Sequence, residues 1–192
     1  MRFSAIVAGL IATACTTVLA APAFLPVGVG VLPSQPTTAE DVTRDMTNLD
    51  TSLENFNKAV QDATAGGTAT DGALSGAIEY QAITQTARLD SQNILGPFTP
   101  DDSAAVVDKL KTLSSDLQDT KTLLANAKAA GLLDSYQGTV IELYLELVSS
   151  DTAGYVNTLL SYIDATVKDA ATAAAGAIND SLGGIGDILA SK

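Results

Sequence analysis

The sequence predicts an all-α protein, an elongated antiparallel five-helix bundle, and three observations carry that reading. Apolar residues recur at alternating spacings of four and three along most of the chain. Helix-starting and helix-ending residues punctuate these stretches and leave only short loops between them. One segment alone shows the period-two alternation of a strand, and a lone strand has no partner to pair with.

Thr37, with Glu40 three residues later, forms a capping box, and Val42, Met46, Leu49, Leu53, Phe56 and Val60 follow on one helical face. Gly66-Gly67 ends this first helix. The second is expected from near Asp71 to Leu95, with one stripe of Leu74, Ile78, Ala82 and Leu89 and another of Tyr80, Ile83, Ala87 and Ile94, so it has neighbours on two sides. After Gly96-Pro97, the run Thr99-Pro100-Asp101-Asp102 starts a third helix with a capping hydroxyl, Pro in the first turn and carboxylates at the positive end. Its stripe is Val106, Leu110, Leu113, Leu117 and Leu124, and Gly131 lies just past its end at Ala130.

Residues 140–148 alternate like a strand, yet Glu142 and Glu146 share a helical face, and the lack of a pairing segment decides for a short fourth helix. The fifth is expected to open near Ser150 or Asp151, to carry Val156, Leu159, Ile163, Val167, Ala170 and Ala174, and to fade at Asn179 before Gly183-Gly184. At 1.5 Å of rise per residue four helices would be roughly 38–45 Å long and the fourth about 25 Å.

Outside this bundle of residues 37–180, the start of the chain reads as a secretory signal over residues 1–20: Arg2, an uncharged apolar stretch from Ala5 to Leu19, and small residues at Val18-Leu19-Ala20. A bacterial lipoprotein would use Cys15 as its lipid acceptor, but Ala12 stands where Leu is usual. Residues 21–36 form an apolar arm or propeptide that Pro and Gly keep from being helical. Residues 181–192 are expected as a C-terminal tail. The apolar segments 24–32 and 182–189 either strap over the bundle or stay exposed as sticky surface.

The whole chain carries 10 basic and 22 acidic residues, and removing Arg2 takes the net charge from −12 to about −13, which repels nucleic acid and anionic membranes. A hydrophobic content of 46% against 17% charged residues suits a packed domain rather than a disordered chain. The sole cysteine, Cys15, would leave with the signal, so the mature protein would hold no disulfide.

The residue inventory also restricts chemistry. With no His, no Trp and no mature Cys, there is no Ser-His or Cys-His nucleophile pair, no ordinary zinc or di-iron site, and no usual haem ligand but Met46. Nucleotide and EF-hand motifs are missing too; Gly28-Val29-Gly30 and Gly184-Ile185-Gly186 lack the third glycine of a dinucleotide loop. Asp101-Asp102 reads as capping and dipole chemistry. The chain is expected to be no enzyme, with no cofactor and no metal. A core of Leu, Ile, Val and many Ala, with Phe56 and Phe98 its only phenylalanines, either packs closely or leaves a tunnel for an acyl chain. Candidate lining residues are Leu74, Ile78, Leu110, Leu113, Leu117, Leu143, Leu147, Leu159 and Ile163. Gln81, Gln85 and Arg88 either fix a carboxylate head group or face solvent.

The stripe Val42 to Val60, the start Phe98-Thr99-Pro100-Asp101-Asp102 with its Leu-rich helix, and the segment 140–160 together resemble the fungal hydrophobic surface binding protein A family, which includes cell wall galactomannoproteins. The resemblance spans about residues 37–180. It implies a protein secreted by a fungus, free or wall-associated, that binds fatty acids or hydrophobic surfaces and recruits a secreted polyester hydrolase there. The family has no ligand-site motif, so no individual position is implied. Without a Ser/Thr-rich tail and apolar C-terminal signal, release is expected rather than lipid anchoring. The alternative is a structural wall mannoprotein, for which Asn179-Asp180-Ser181 offers a glycosylation acceptor at Asn179.

Overall fold

The computed structural model describes residues 37–66 and 70–191, which belong to one compact unit, residues 35–192. The secretory signal, Cys15, the apolar arm over 21–36 and Gly67 lie outside the described residues. Among those described, five helices make the structure: α1 (Ala39–Gly66), α2 (Thr70–Ser91), α3 (Pro100–Ala129), α4 (Tyr136–Leu160) and α5 (Lys168–Ala190). Two short 3-10 turns, Leu132–Asp134 and Ala165–Val167, precede α4 and α5.

The expected stripe of α1 is its core face, and Val42, Met46, Leu49, Leu53, Phe56 and Val60 are all buried. Each such side chain taken fully from water contributes about 1.5–3 kcal/mol. The capping box, however, is shifted by one residue. Thr38 Oγ1 accepts from the Asp41 amide, and Asp41 Oδ2 accepts from the Thr38 amide. Thr37 faces the other way, its amide donating to the Asn93 carbonyl and its hydroxyl to that of Asp90, which ties the start of α1 to the end of α2.

α3 begins as the sequence indicates, with Thr99 Oγ1 accepting from the Asp102 amide. Beyond its end, Gly131 takes φ 75°, a left-handed conformation that glycine adopts without a Cβ clash. Ser135 then caps α4 by accepting from the Gly138 amide.

α1 packs on α2 and α3; α2 also packs on α4, α3 on α5, and α4 on α5. The helices therefore close a ring in the order α1, α2, α4, α5, α3, whose sparsest seam is that between α4 and α5. Consecutive helices run in opposite directions, but some spatial neighbours are parallel. Thr70 meets Gln137 and Arg88 meets Asp151, so α2 and α4 share a direction. Ser181 meets Gln118 and Lys128 meets the Ile188 and Leu189 carbonyls, so α3 and α5 do too.

Three expectations for the C-terminal half are corrected. The fourth helix is not short: α4 has 25 residues, about 38 Å, because it continues through 149–152. Ser149 donates back to the Leu145 carbonyl, while Asp151 and Thr152 are buried against other helices, so what resembled a helix start lies within one. The chain turns instead at 161–164, where the Tyr162 carbonyl accepts from the Phe98 amide and the Asp164 amide donates to Ser103. Finally, residues 181–190 are no tail but the second half of α5, with Ser181, Leu182 and Ile185 buried. The second helix ends at Ser91, short of Leu95, as residues 92–96 turn and Ile94 bridges to Thr37.

Candidate functional site

The ring divides the sequence-selected residues into two groups. Leu110, Leu113 and Leu117 of α3, Leu159 of α4, and Ile163 just beyond it are buried in one continuous core. Leu74 is half-buried against that core and Leu143 half-buried on α4, whereas Ile78 and Leu147 are 42% and 46% exposed. Ile78 and Leu147 therefore line no enclosed chamber here.

The exposed group has an order of its own. Leu74, Ile78, Gln81, Gln85 and Arg88 recur at spacings of four and three and occupy one edge of α2. Arg88 marks this edge as the one beside α4, because it pairs with Asp151. On α4, Leu147 and Leu143 precede Asp151 by one and two turns. Since α2 and α4 are parallel, the two apolar rows run alongside each other on the outside of the bundle. Gln81 is half-buried and Gln85 exposed, while the Arg88 charge is already engaged by Asp151.

A second constellation was not selected from the sequence. Four helices bring polar side chains near one another: Asp50 of α1, Tyr80 of α2 and Thr152 of α4 inside the bundle, and half-buried Asp116 of α3 beside them. Tyr80 and Thr152 are wholly buried and Asp50 nearly so. Lys109 Nζ stands 3.5 Å from Asp50 Oδ2, while Asp50 Oδ1 and Asp116 Oδ2 meet no hydrogen-bond partner, and Tyr80 OH and Thr152 Oγ1 have only each other, without a well-formed bond. Burial pushes the Asp50 carboxyl up to about 6, Lys109 opposing the rise, and it raises Asp116, with help from Glu54 and Asp119. Burial likewise raises the Tyr80 phenol. Toward the start of α1, Asp45 is pushed up to about 6 by burial and then by Asp90. Near it, Tyr155 OH donates to the Val42 carbonyl at 3.4 Å.

Each of these residues had a bland identity in the sequence. Asp50 follows Leu49 in a charged helix, Tyr80 sat in an apolar stripe, and Thr152 belonged to an apparent helix start. The available signal was spacing: Asp50 lies four residues after Met46 and three before Leu53, on the flank of the core face.

Two clefts mark the surface. One of about 510 Å³ lies between α3 and α5, walled by Lys111, Ser114, Gln118, Lys121, Ala177 and Ser181 among others. Another of about 260 Å³ is bordered by Ala63, Thr70, Leu132 and Gln137. Asn179 is exposed on α5, while Ser181 of the same acceptor sequence is buried. Among the described residues no cluster of acidic side chains is arranged to hold a metal ion, and no helix is long and apolar enough to cross a membrane.

No family model matches the chain, and no curated protein matches its sequence. Among solved structures it is similar to Afmp4p in complex with palmitic acid, with a TM-score of 0.71 over 80% of this chain and 100% of that one. The identity is 16%, so what the two share is the fold.

Proposed function

We propose that this chain is a secreted, non-catalytic carrier of single-chain lipids, which also adsorbs to hydrophobic surfaces. The observation that carries this reading is the likeness of its helical ring to Afmp4p, a protein crystallised with palmitic acid. Two features of the chain itself support it. The core is filled largely by Ala, Leu and Val, which can yield to an acyl chain more readily than aromatic packing. The ring also has a sparse seam between α4 and α5 where a ligand can pass with little disruption of the remaining contacts.

Surface adsorption is a second mode on the same molecule. Leu74, Ile78, Leu143 and Leu147 present an apolar row that needs no opening of the bundle. A secreted polyester hydrolase would be brought to the surface by protein adsorbed there. A structural wall role, with a glycan on the exposed Asn179, is the alternative reading.

Displacement of an environment-sensitive apolar fluorophore by palmitate, followed with purified protein, tests the carrier reading. Saturable displacement near one equivalent supports it. Absence of displacement, together with no adsorption to wax or polystyrene, contradicts it.

A further inference from the structure

The Tyr80 hydroxyl lies inside the bundle, 1% exposed, with Thr152 Oγ1 its one hydrogen-bonding neighbour and no well-formed hydrogen bond to it. A buried phenol is ordinarily paired, because it has lost the water that solvated it in the unfolded chain. Its surroundings are equally unsatisfied. Thr152 Oγ1 has no partner beyond its contact with Tyr80, and the electrostatic influence of Asp50 and Asp116 reaches the phenol. One oxygen of each of those carboxyls is buried without a partner. Four helices thus place incompletely satisfied polar atoms, three of the residues buried and Asp116 half-buried, near one interior region that resembles half of a recognition site.

We propose that this region receives the head group of the carried lipid and selects a hydrogen-bond donor, a hydroxyl or an ammonium, over a carboxylate. The inference rests on the carrier reading above and specifies its ligand. A carboxylate would bring only acceptors, and a further negative charge, to a place already reached by the charges of Asp50 from α1 and Asp116 from α3. Among the described residues Lys109 is the cation that acts on Asp50, and Asp50 already engages it.

An alcohol complements the cluster in both directions. It donates to the free oxygen of Asp50 or Asp116 and accepts from Tyr80 or Thr152. An ammonium donates to both carboxylates and neutralises part of their repulsion. Near about pH 8 Asp50 is an acceptor, since its pKa is raised only to about 6. The carried chain is therefore expected to be a long-chain alcohol or amine rather than a fatty-acid anion, and a fatty acid is held best in its protonated form.

The test compares 1-dodecanol, dodecylamine and dodecanoate, matched in chain length, as displacers of an apolar fluorophore from the full chain at about pH 8. The wild type should bind the alcohol and the amine about tenfold more tightly than the carboxylate. Tyr80→Phe should remove most of the alcohol's advantage, and Asp116→Asn most of the amine's, which distinguishes the two donors. If Tyr80→Phe fails to fold, Thr152→Val takes its place. Dodecanoate binding as tightly as the others overturns the inference while leaving the carrier reading standing. The inference is overturned in the same way if all three bind alike and no variant matters, because the cluster then holds water only. Binding of none removes carrier and head-group site together.

Discussion

Arg88 in the last turns of α2 pairs with Asp151 in the middle of α4, and this contact sets the register of two parallel helices that are not consecutive in the chain. The two partners are unequal: the Arg88 side chain is 46% exposed and that of Asp151 only 12%. Removing Arg88 leaves a nearly buried carboxylate unpaired, whereas removing Asp151 lets Arg88 turn to water. Arg88→Ala is therefore expected to cost about 2 kcal/mol and Asp151→Ala about 1 kcal/mol. Urea denaturation of both variants checks the order.

Stability should fall as pH rises from about 4 to about 6. Asp45 and Asp50 have folded pKa values near 6, above the 3.8 of an ordinary Asp, so the native state binds more protons in that window. Their contribution is fully present below about 4 and is lost as each ionises inside the bundle. Asp41 and Asp164, held below the usual carboxylate range by hydrogen bonds from Thr38 and Thr166, act oppositely and begin to lose theirs only under more acid conditions. Urea midpoints between pH 4 and 7 should decline for the wild type. The double variant Asp45→Asn, Asp50→Asn should flatten the profile, and an unchanged slope would refute the assignment.

The two groups of apolar residues should separate experimentally. Leu117→Ala opens a cavity in the core and is expected to cost about 2–5 kcal/mol. Ile78→Ser with Leu147→Ser removes exposed side chains and should change stability by roughly 0.5 kcal/mol or less per site. If the α2–α4 row carries adsorption, the second pair loses coverage of a wax-like surface at unchanged melting temperature. A quartz-crystal microbalance and a thermal melt provide both readings.

Charge should limit that coverage. With −12 on the whole chain, molecules adsorbed side by side repel one another, and salt shortens the range of the repulsion. Coverage is expected to be denser at high ionic strength, and near the sequence pI of 4.1. Coverage insensitive to both would show that crowding by charge is unimportant.

How far the sequence revealed this molecule depends on whether local signals agreed with tertiary ones. The α1 stripe from Val42 to Val60 and the Thr99 cap of α3 were legible because one helical face and one start signal pointed the same way. The α4–α5 junction was not. Ser149, Ser150 and Asp151 carry the chemistry of a helix start, but the Arg88 partner that keeps Asp151 inside a continuous helix is 63 residues away. Likewise Gly183 and Gly184 suggest a helix end, yet α5 continues because Leu182 and Ile185 pack inward. The polar cluster depends on four helices at once, and no single segment announces it. Periodicity placed Leu110, Leu113 and Leu117 in the core, but it could not tell an outer edge such as Ile78 from an inner face.

Native mass spectrometry of the protein purified from its own host tests most directly whether the bundle carries lipid. The carrier reading predicts a species heavier than the polypeptide by one single-chain lipid, lost on organic extraction and restored by adding the extracted lipid back. A bare polypeptide mass, in protein that also takes up no C16 acid, alcohol or amine when these are supplied, would contradict it.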